Sequence, residues 1–216
     1  MKHRTFTIAF VAAALGLVAT GVAVAAVVRG TSGDDMLRGT RAADAISAFQ
    51  GNDTIRALAG ADLVRAGAGD DTASGGPGSD LVYGGGGNDR VGGGESADIV
   101  WGGSGNDTVS GGQGPDRLHG GAGDDTVDGG PGPDVIWVGP GTDTAHGGYG
   151  PDVLHALAAD GQPDTLDCGP GRDVAKVLAS ERASTTFHGC EVIVVVQAVS
   201  AQDQADESDQ DAEADS

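Results

Sequence analysis

Residues 102–130 read GGSGNDTVSGGQGPDRLHGGAGDDTVDGG. Aspartate returns at Asp107, Asp116 and Asp125, nine residues apart, and an aliphatic residue follows two places later each time: Val109, Leu118, Val127. The copies between are not alike, because GNDT gives way to GPDR and then to GDDT. One residue is held while its surroundings alternate.

Extending the nines in both directions gives fourteen uninterrupted units from Gly30 to His155. Their sixth positions are Asp35, Asp44, Asp53, Asp62, Asp71, Asp80, Asp89, Asp98, Asp107, Asp116, Asp125, Asp134, Asp143 and Asp152. The eighth position is apolar throughout, from Leu37 and Ile46 to Ala145 and Leu154. After a three-residue slip, Asp164 with Leu166 and Asp173 with Ala175 add two poorer units. A lone apolar residue between non-core positions, after a glycine-rich bend, suits a very short strand and a tight turn. Such a unit buries little alone, but stacked copies align their eighth positions into a narrow aliphatic core, as in a solenoid.

The alternation has its own period. Position five of odd units carries Asp34, Asn52, Asp70, Asn88, Asn106 and Asp124, whereas even units carry Ala43, Ala61, Ser79, Ala97, Pro115, Pro133 and Pro151. Position seven is mostly threonine in odd units and mostly aliphatic in even ones. The true repeat is therefore eighteen residues, as a coil with two sides requires.

The motif G-G-x-G-x-D-x-apolar-x, seen in GGPGSDLVY, GGSGNDTVS and GGAGDDTVD, resembles the RTX (haemolysin-type) calcium-binding nonapeptide of exported bacterial proteins. The resemblance implies an all-β fold, a right-handed parallel β-roll with two nonapeptides per coil, spanning residues 30–176. It also implies multiple Ca²⁺ ions between successive turns, held by the fourteen aspartates and loop carbonyls of stacked turns, Asp107 with Asp125 and Asp98 with Asp116. The residues agree with that chemistry. Ca²⁺ takes six to eight oxygens, and glycine-rich turns can aim carbonyls inward. Stacked turns put like charges about 5 Å apart, which is unfavourable unless a cation intervenes. The alternative is that each aspartate merely closes its own turn, without metal. Fourteen units would hold up to roughly a dozen ions, with affinities of about 10⁻⁴–10⁻³ M expected of extracellular modules. Ala48, Ala57 and Ala66 replace the first glycine of their units, and Ala42 and Ser96 the fourth-position glycine. If those glycines need φ > 0, these sites are weakened.

Composition agrees. With 40 glycines and 4% aromatic residues, an ordinary packed globule is not expected. A net charge of −20 excludes nucleic acid as partner and favours bound cations. Residues 1–26 read as a signal peptide, with Lys2, His3 and Arg4 before a long uncharged run and cleavage after Ala25 or Ala26. An uncleaved anchor is the competing reading. Cys168 and Cys190 fit a disulfide in that exported setting, and a zinc site with His188 is the sharper alternative. The disulfide would pin a C-terminal cap, residues 177–199, against an open solenoid end. Residues 200–216 are acidic, lack bulky apolar side chains and read as a disordered tail.

With position eight inward, positions seven and nine point outward. Even units place Tyr83, Trp101, His119, Trp137 and His155 at position nine, one coil apart. This column is either a cross-strand ladder covered by the C-terminal segment or a surface for carbohydrate, a cell-surface partner or a second copy. His119 and His155 could also serve as zinc ligands. No G-x-S-x-G elbow or H-E-x-x-H helix occurs, so no enzyme is expected. The sequence reads as a secreted or cell-surface calcium-binding repeat protein with a structural or adhesive role. A secreted hydrolase or a carbohydrate-binding module is the runner-up.

Overall fold

The structure, a computed structural model, describes residues 25–197. The signal peptide reading, apart from its last two residues, and the acidic tail lie outside the described residues. The described chain is all β, with no helix, wound into a parallel solenoid of about nine turns. A ten-stranded sheet takes alternate strands from Val27–Arg29 to Val192–Val196. A nine-stranded sheet takes the rest, from Met36–Arg38 to Thr186–His188.

Each strand pairs in parallel with the strand eighteen residues on. Thr108 faces Thr126 and Val109 faces Val127 in one sheet, while Leu118 faces Ile136 in the other. The three-residue slip is absorbed between strands, so Thr144 pairs with Thr165 and Val153 with Val174, both 21 residues apart. The coil also runs beyond the sixteen units. Val28 is a core residue ahead of Gly30, and Thr186–His188 and Val192–Val196 add one more strand to each sheet. The C-terminal segment is thus the last coil of the roll, not a cover over one face.

Eighth positions form the core as expected: Val64, Val82, Val100, Val109, Leu118, Val127, Ile136 and Leu154 are wholly buried. They are not the only inward positions, however. In a six-residue strand side chains alternate, so position one of the next unit also points inward. Ala48, Ala57, Ala66 and Val138 stand there with no exposed surface. The others are glycine, which has no side chain to reveal the periodicity. Ala48, Ala57 and Ala66 are therefore core residues at ordinary φ, and the expectation that they need positive φ is corrected. The left-handed positions are two and four of the unit. There Phe49 (φ 82°), Leu58 (φ 87°) and Ser96 (φ 86°) stand where most units carry glycine.

Candidate metal-binding site

The sixth-position aspartates sit where each strand begins, stacked one coil apart along both edges of the roll. All fourteen are buried, at 1–4% exposure. One carboxylate oxygen has a structural task. Oδ1 of Asp125 accepts the backbone N–H of Asp107 at 2.7 Å, and Oδ1 of Asp116 accepts that of Asp98 at 2.8 Å. The same bond recurs from Asp35, bonded to Asp53, up to Asp152, bonded to Asp173. In the last coil Glu191 takes the aspartate's part, accepting the N–H of Asp173 at 2.7 Å. The pairings of Asp107 with Asp125 and Asp98 with Asp116 are thus direct contacts between stacked turns.

The second oxygen has none. Oδ2 is buried without a hydrogen-bond partner in Asp53, Asp62, Asp71, Asp80, Asp89, Asp98, Asp107, Asp116, Asp125, Asp134, Asp143, Asp152 and Asp173. It lies over the position-one residue of its own unit: a Cβ added to Gly120 would come within 2.6 Å of Asp125 Oδ2. Burial raises these carboxyls, the N–H bond from the previous coil opposes it, and in most of them neighbouring carboxylates raise them further. Asp125 is pushed up to about 8, Asp71, Asp89, Asp98, Asp134 and Asp143 to about 7, and Asp80, Asp107 and Asp116 to about 6. A buried carboxylate oxygen with no donor calls for a proton or a cation.

The turn backbone offers the complement. Gly103 and Gly105 lie in the left-handed region, and their carbonyls point to where Cβ atoms of Gly121 and Gly123, one coil on, would stand. Any side chain there would strike the carbonyl of the preceding turn. Among the described residues no three His, Cys, Asp or Glu side chains are placed to hold an ion together. The donor set is therefore carboxylates from stacked turns completed by backbone carbonyls, all hard oxygen, which suits Ca²⁺. The residues fit the ion.

The two rows of turns differ as the eighteen-residue period demands. On odd turns the position-five side chain accepts an N–H from the next coil: Asp34 from Asn52, Asn52 from Asp70, and so on to Asp124 from Thr142 at 2.9 Å. Pro115, Pro133 and Pro151 have no N–H to give, so even turns lack this ladder.

The aromatic column is brought together as a stack. Tyr83 lies on Trp101 at 4.3 Å between ring centroids, Trp101 on His119 at 5.7 Å, His119 on Trp137 at 4.4 Å, and Trp137 on His155 at 4.9 Å. Of the two readings of this column, the geometry is that of a cross-strand ladder, with all five side chains 4–7% exposed. Strand spacing matches ring stacking, so neighbours cover both faces of each inner ring. Burial, with Arg117 and His155 adding to it, pushes the His119 imidazole down to about 3. Cys168 and Cys190 form the expected disulfide, with Cα atoms 5.1 Å apart, so zinc ligation by these sulfurs with His188 is set aside.

What sequence reasoning missed is the pair of threonines at position two of the first units. Thr31 donates its N–H, and its hydroxyl at 3.0 Å, to Asp35 Oδ2. Thr40 donates its N–H to Asp44 Oδ2 and its hydroxyl, at 3.0 Å, to Oδ1. Threonine four residues before the aspartate, where most other units carry glycine, was the available signal. The Asp44 turn is closed from within, both oxygens being bonded, while Asp35 keeps a donorless Oδ1.

The family model described as the RTX calcium-binding nonapeptide repeat matches the chain in four copies, at residues 29–64, 65–100, 101–136 and 137–175. No curated protein matches it.

Proposed function

Because the chain belongs to the RTX calcium-binding nonapeptide repeat family, we propose that it is an exported protein whose roll folds around Ca²⁺ and serves a structural or adhesive role. The observation that carries this reading is the column of buried, donorless Oδ2 atoms. Asp53 to Asp152 would hold the ions with carbonyls of the left-handed glycines, and bound Ca²⁺ would supply the positive charge those oxygens lack. The chain's own contribution is to fix each carboxylate by its Oδ1 bond and to keep side chains out of the turn. The disulfide supports an oxidising compartment. The family fold is a structural calcium-binding one rather than a typical catalytic scaffold.

Calorimetric Ca²⁺ titration with far-UV circular dichroism tests the reading. At neutral pH the stripped chain is expected to be largely disordered and to gain its β spectrum cooperatively, with several ions bound per chain. An unchanged β spectrum in chelator at neutral pH would overturn it.

A further inference from the structure

The two ends of the roll are finished differently. At the first, the leading core residues Val28 and Leu37 are buried, at 3% exposure each. At the last, the core lies open. Val195 sits beside Val177 in the register and shares its inward side, yet Val177 is wholly buried and Val195 is 44% exposed. Ile193, beside the wholly buried Ala175, and Phe187, beside the wholly buried Leu166, are only partly buried. The strand Val192–Val196 is the edge of its sheet and is β-branched throughout. Val192 gives its N–H to the Asp173 carbonyl, and the Val196 carbonyl accepts the N–H of Ala179. Backbone groups alternate along a strand, so Ile193 and Val195 turn theirs to the open side, where no described strand meets them. An edge of this kind is a template for another strand. Residues 198–216 do not suit the gap, since they are rich in carboxylates and carry no apolar side chain larger than Val199.

We propose that two copies of the chain join at this end, the strand Val192–Val196 of each pairing antiparallel about a two-fold axis at Val194. In that register Ile193 lies opposite Val195 of the second copy. These are the residues with open backbone groups, so each gives an N–H to the other and accepts one. Both stand on the inward side, so the two aliphatic cores become continuous. Val194 meets its own counterpart on the outer face. Glu191 meets Gln197, so no like charges are directly opposed. The same register carries the carboxylates that follow Gln197 towards Arg172 of the second copy, which is exposed and has no ion pair among the described residues. A two-fold contact uses one patch on both copies and therefore closes at two. The end of one roll is narrow, which places the contact at the weak end of specific interfaces.

The contact needs a folded roll, so the test is sedimentation equilibrium of the oxidised full-length protein with Ca²⁺ saturating and the β spectrum recorded alongside. Failure to fold on Ca²⁺ bears on the calcium role proposed above, whereas the mass bears on the interface. The mass should rise with concentration from one chain to two and stop there. Val194→Lys and Val194→Glu each set like charges against each other across the axis, and each should weaken association by about tenfold or more. An equimolar mixture of the two should regain it. Val194 is exposed, and an unchanged β spectrum shows that both variants remain folded. Val27→Lys, at an exposed residue of the other end, should change nothing. One chain at every concentration up to about 1 mM overturns the proposal. So do masses that grow past two chains, equal weakening by Val27→Lys, or a mixture that associates no better than either variant alone.

Discussion

The aspartates of the first two units and those of the central units occupy the same position of the same repeat, yet their second oxygens meet different surroundings. Asp35 and Asp44 have Oδ2 satisfied by Thr31 and Thr40, and Asp44 Oδ1 is bonded too, while at Asp35 it is Oδ1 that is buried without a donor. Asp71 to Asp143 have it buried and unpartnered. The difference is set at position two. Thr31 and Thr40 are β-branched and stay out of the left-handed region, and their N–H groups bond the aspartate. Gly121 takes φ +111°, gives its N–H to the Val138 carbonyl, and leaves Asp125 Oδ2 without a donor. Turn-closing aspartate and donorless aspartate are thus both present in one chain, and the backbone four residues upstream decides which is which.

The largest expected effect comes from removing the metal and varying pH. Carboxyls raised in the folded state bind protons that the unfolded chain has released. Their stabilising contribution is therefore complete below the ordinary value near 3.8 and is lost as pH rises through the folded values of about 6 to 8. His119 acts in the opposite sense. Held low, it contributes above its ordinary value of 6.5 and loses that contribution as pH falls. One imidazole opposes a whole column of carboxyls, so the column dominates. Metal-free protein should show its β spectrum near pH 5 and lose most of it by pH 8, where Ca²⁺ restores it. Equal folding of the metal-free chain at both pH values would show that burial does not penalise these carboxylates.

A smaller effect separates the two kinds of aspartate directly. Asp125→Asn keeps an oxygen for the Asp107 N–H but removes the charge. At pH 8 it should increase the residual β signal of metal-free protein and lower the melting temperature of the Ca²⁺-loaded form, costing the latter about 1–3 kcal/mol and about one bound ion. Asp44→Asn should cost about 1 kcal/mol in both conditions, through the weakened bonds from Thr40. It should leave the ion count unchanged. Thermal melts and Ca²⁺ stoichiometry on the two variants check this, and a sign change in Asp44→Asn would erase the distinction.

Much of this was legible in the sequence because the repeat is strict. Asp107, Asp116 and Asp125 at spacing nine, with Pro115 opposing Asn106 and Asp124, gave the strands, the two-sided coil and the inward eighth position. Position one escaped because glycine fills it in most units and carries no hydrophobicity, although Val138 and Ala48 lie in the core. The aromatic column was legible as a register but not as a buried stack. Burial depends on how rings meet across strands, which spacing alone does not state. The roles of Thr31 and Thr40 escaped because they depend on φ.

The smallest expected effect tests the same rule in the units between the two regions. Phe49 and Leu58 stand at position two, where Thr31 and Thr40 close their turns, yet both adopt the glycine conformation. The consequence is visible at Asp53 and Asp62, whose Oδ2 atoms are donorless like those of the central units. A left-handed backbone costs a residue with a side chain about 1–2 kcal/mol, and a new glycine loses roughly 0.5–1 kcal/mol through unfolded-state entropy. Phe49 is 47% exposed, so truncation sacrifices little buried surface there. Phe49→Gly should therefore stabilise Ca²⁺-loaded protein by about 0.5–1 kcal/mol, and Leu58→Gly by somewhat less because its side chain is partly covered. Neither should alter ion stoichiometry, since the turn geometry already matches the central units. Phe49→Thr goes the other way: if position two decides the role of the aspartate, threonine should turn its N–H onto Asp53 and remove one ion from the titration. An unchanged ion count in Phe49→Thr would mean that stacking on neighbouring coils, not the residue itself, sets the conformation at position two.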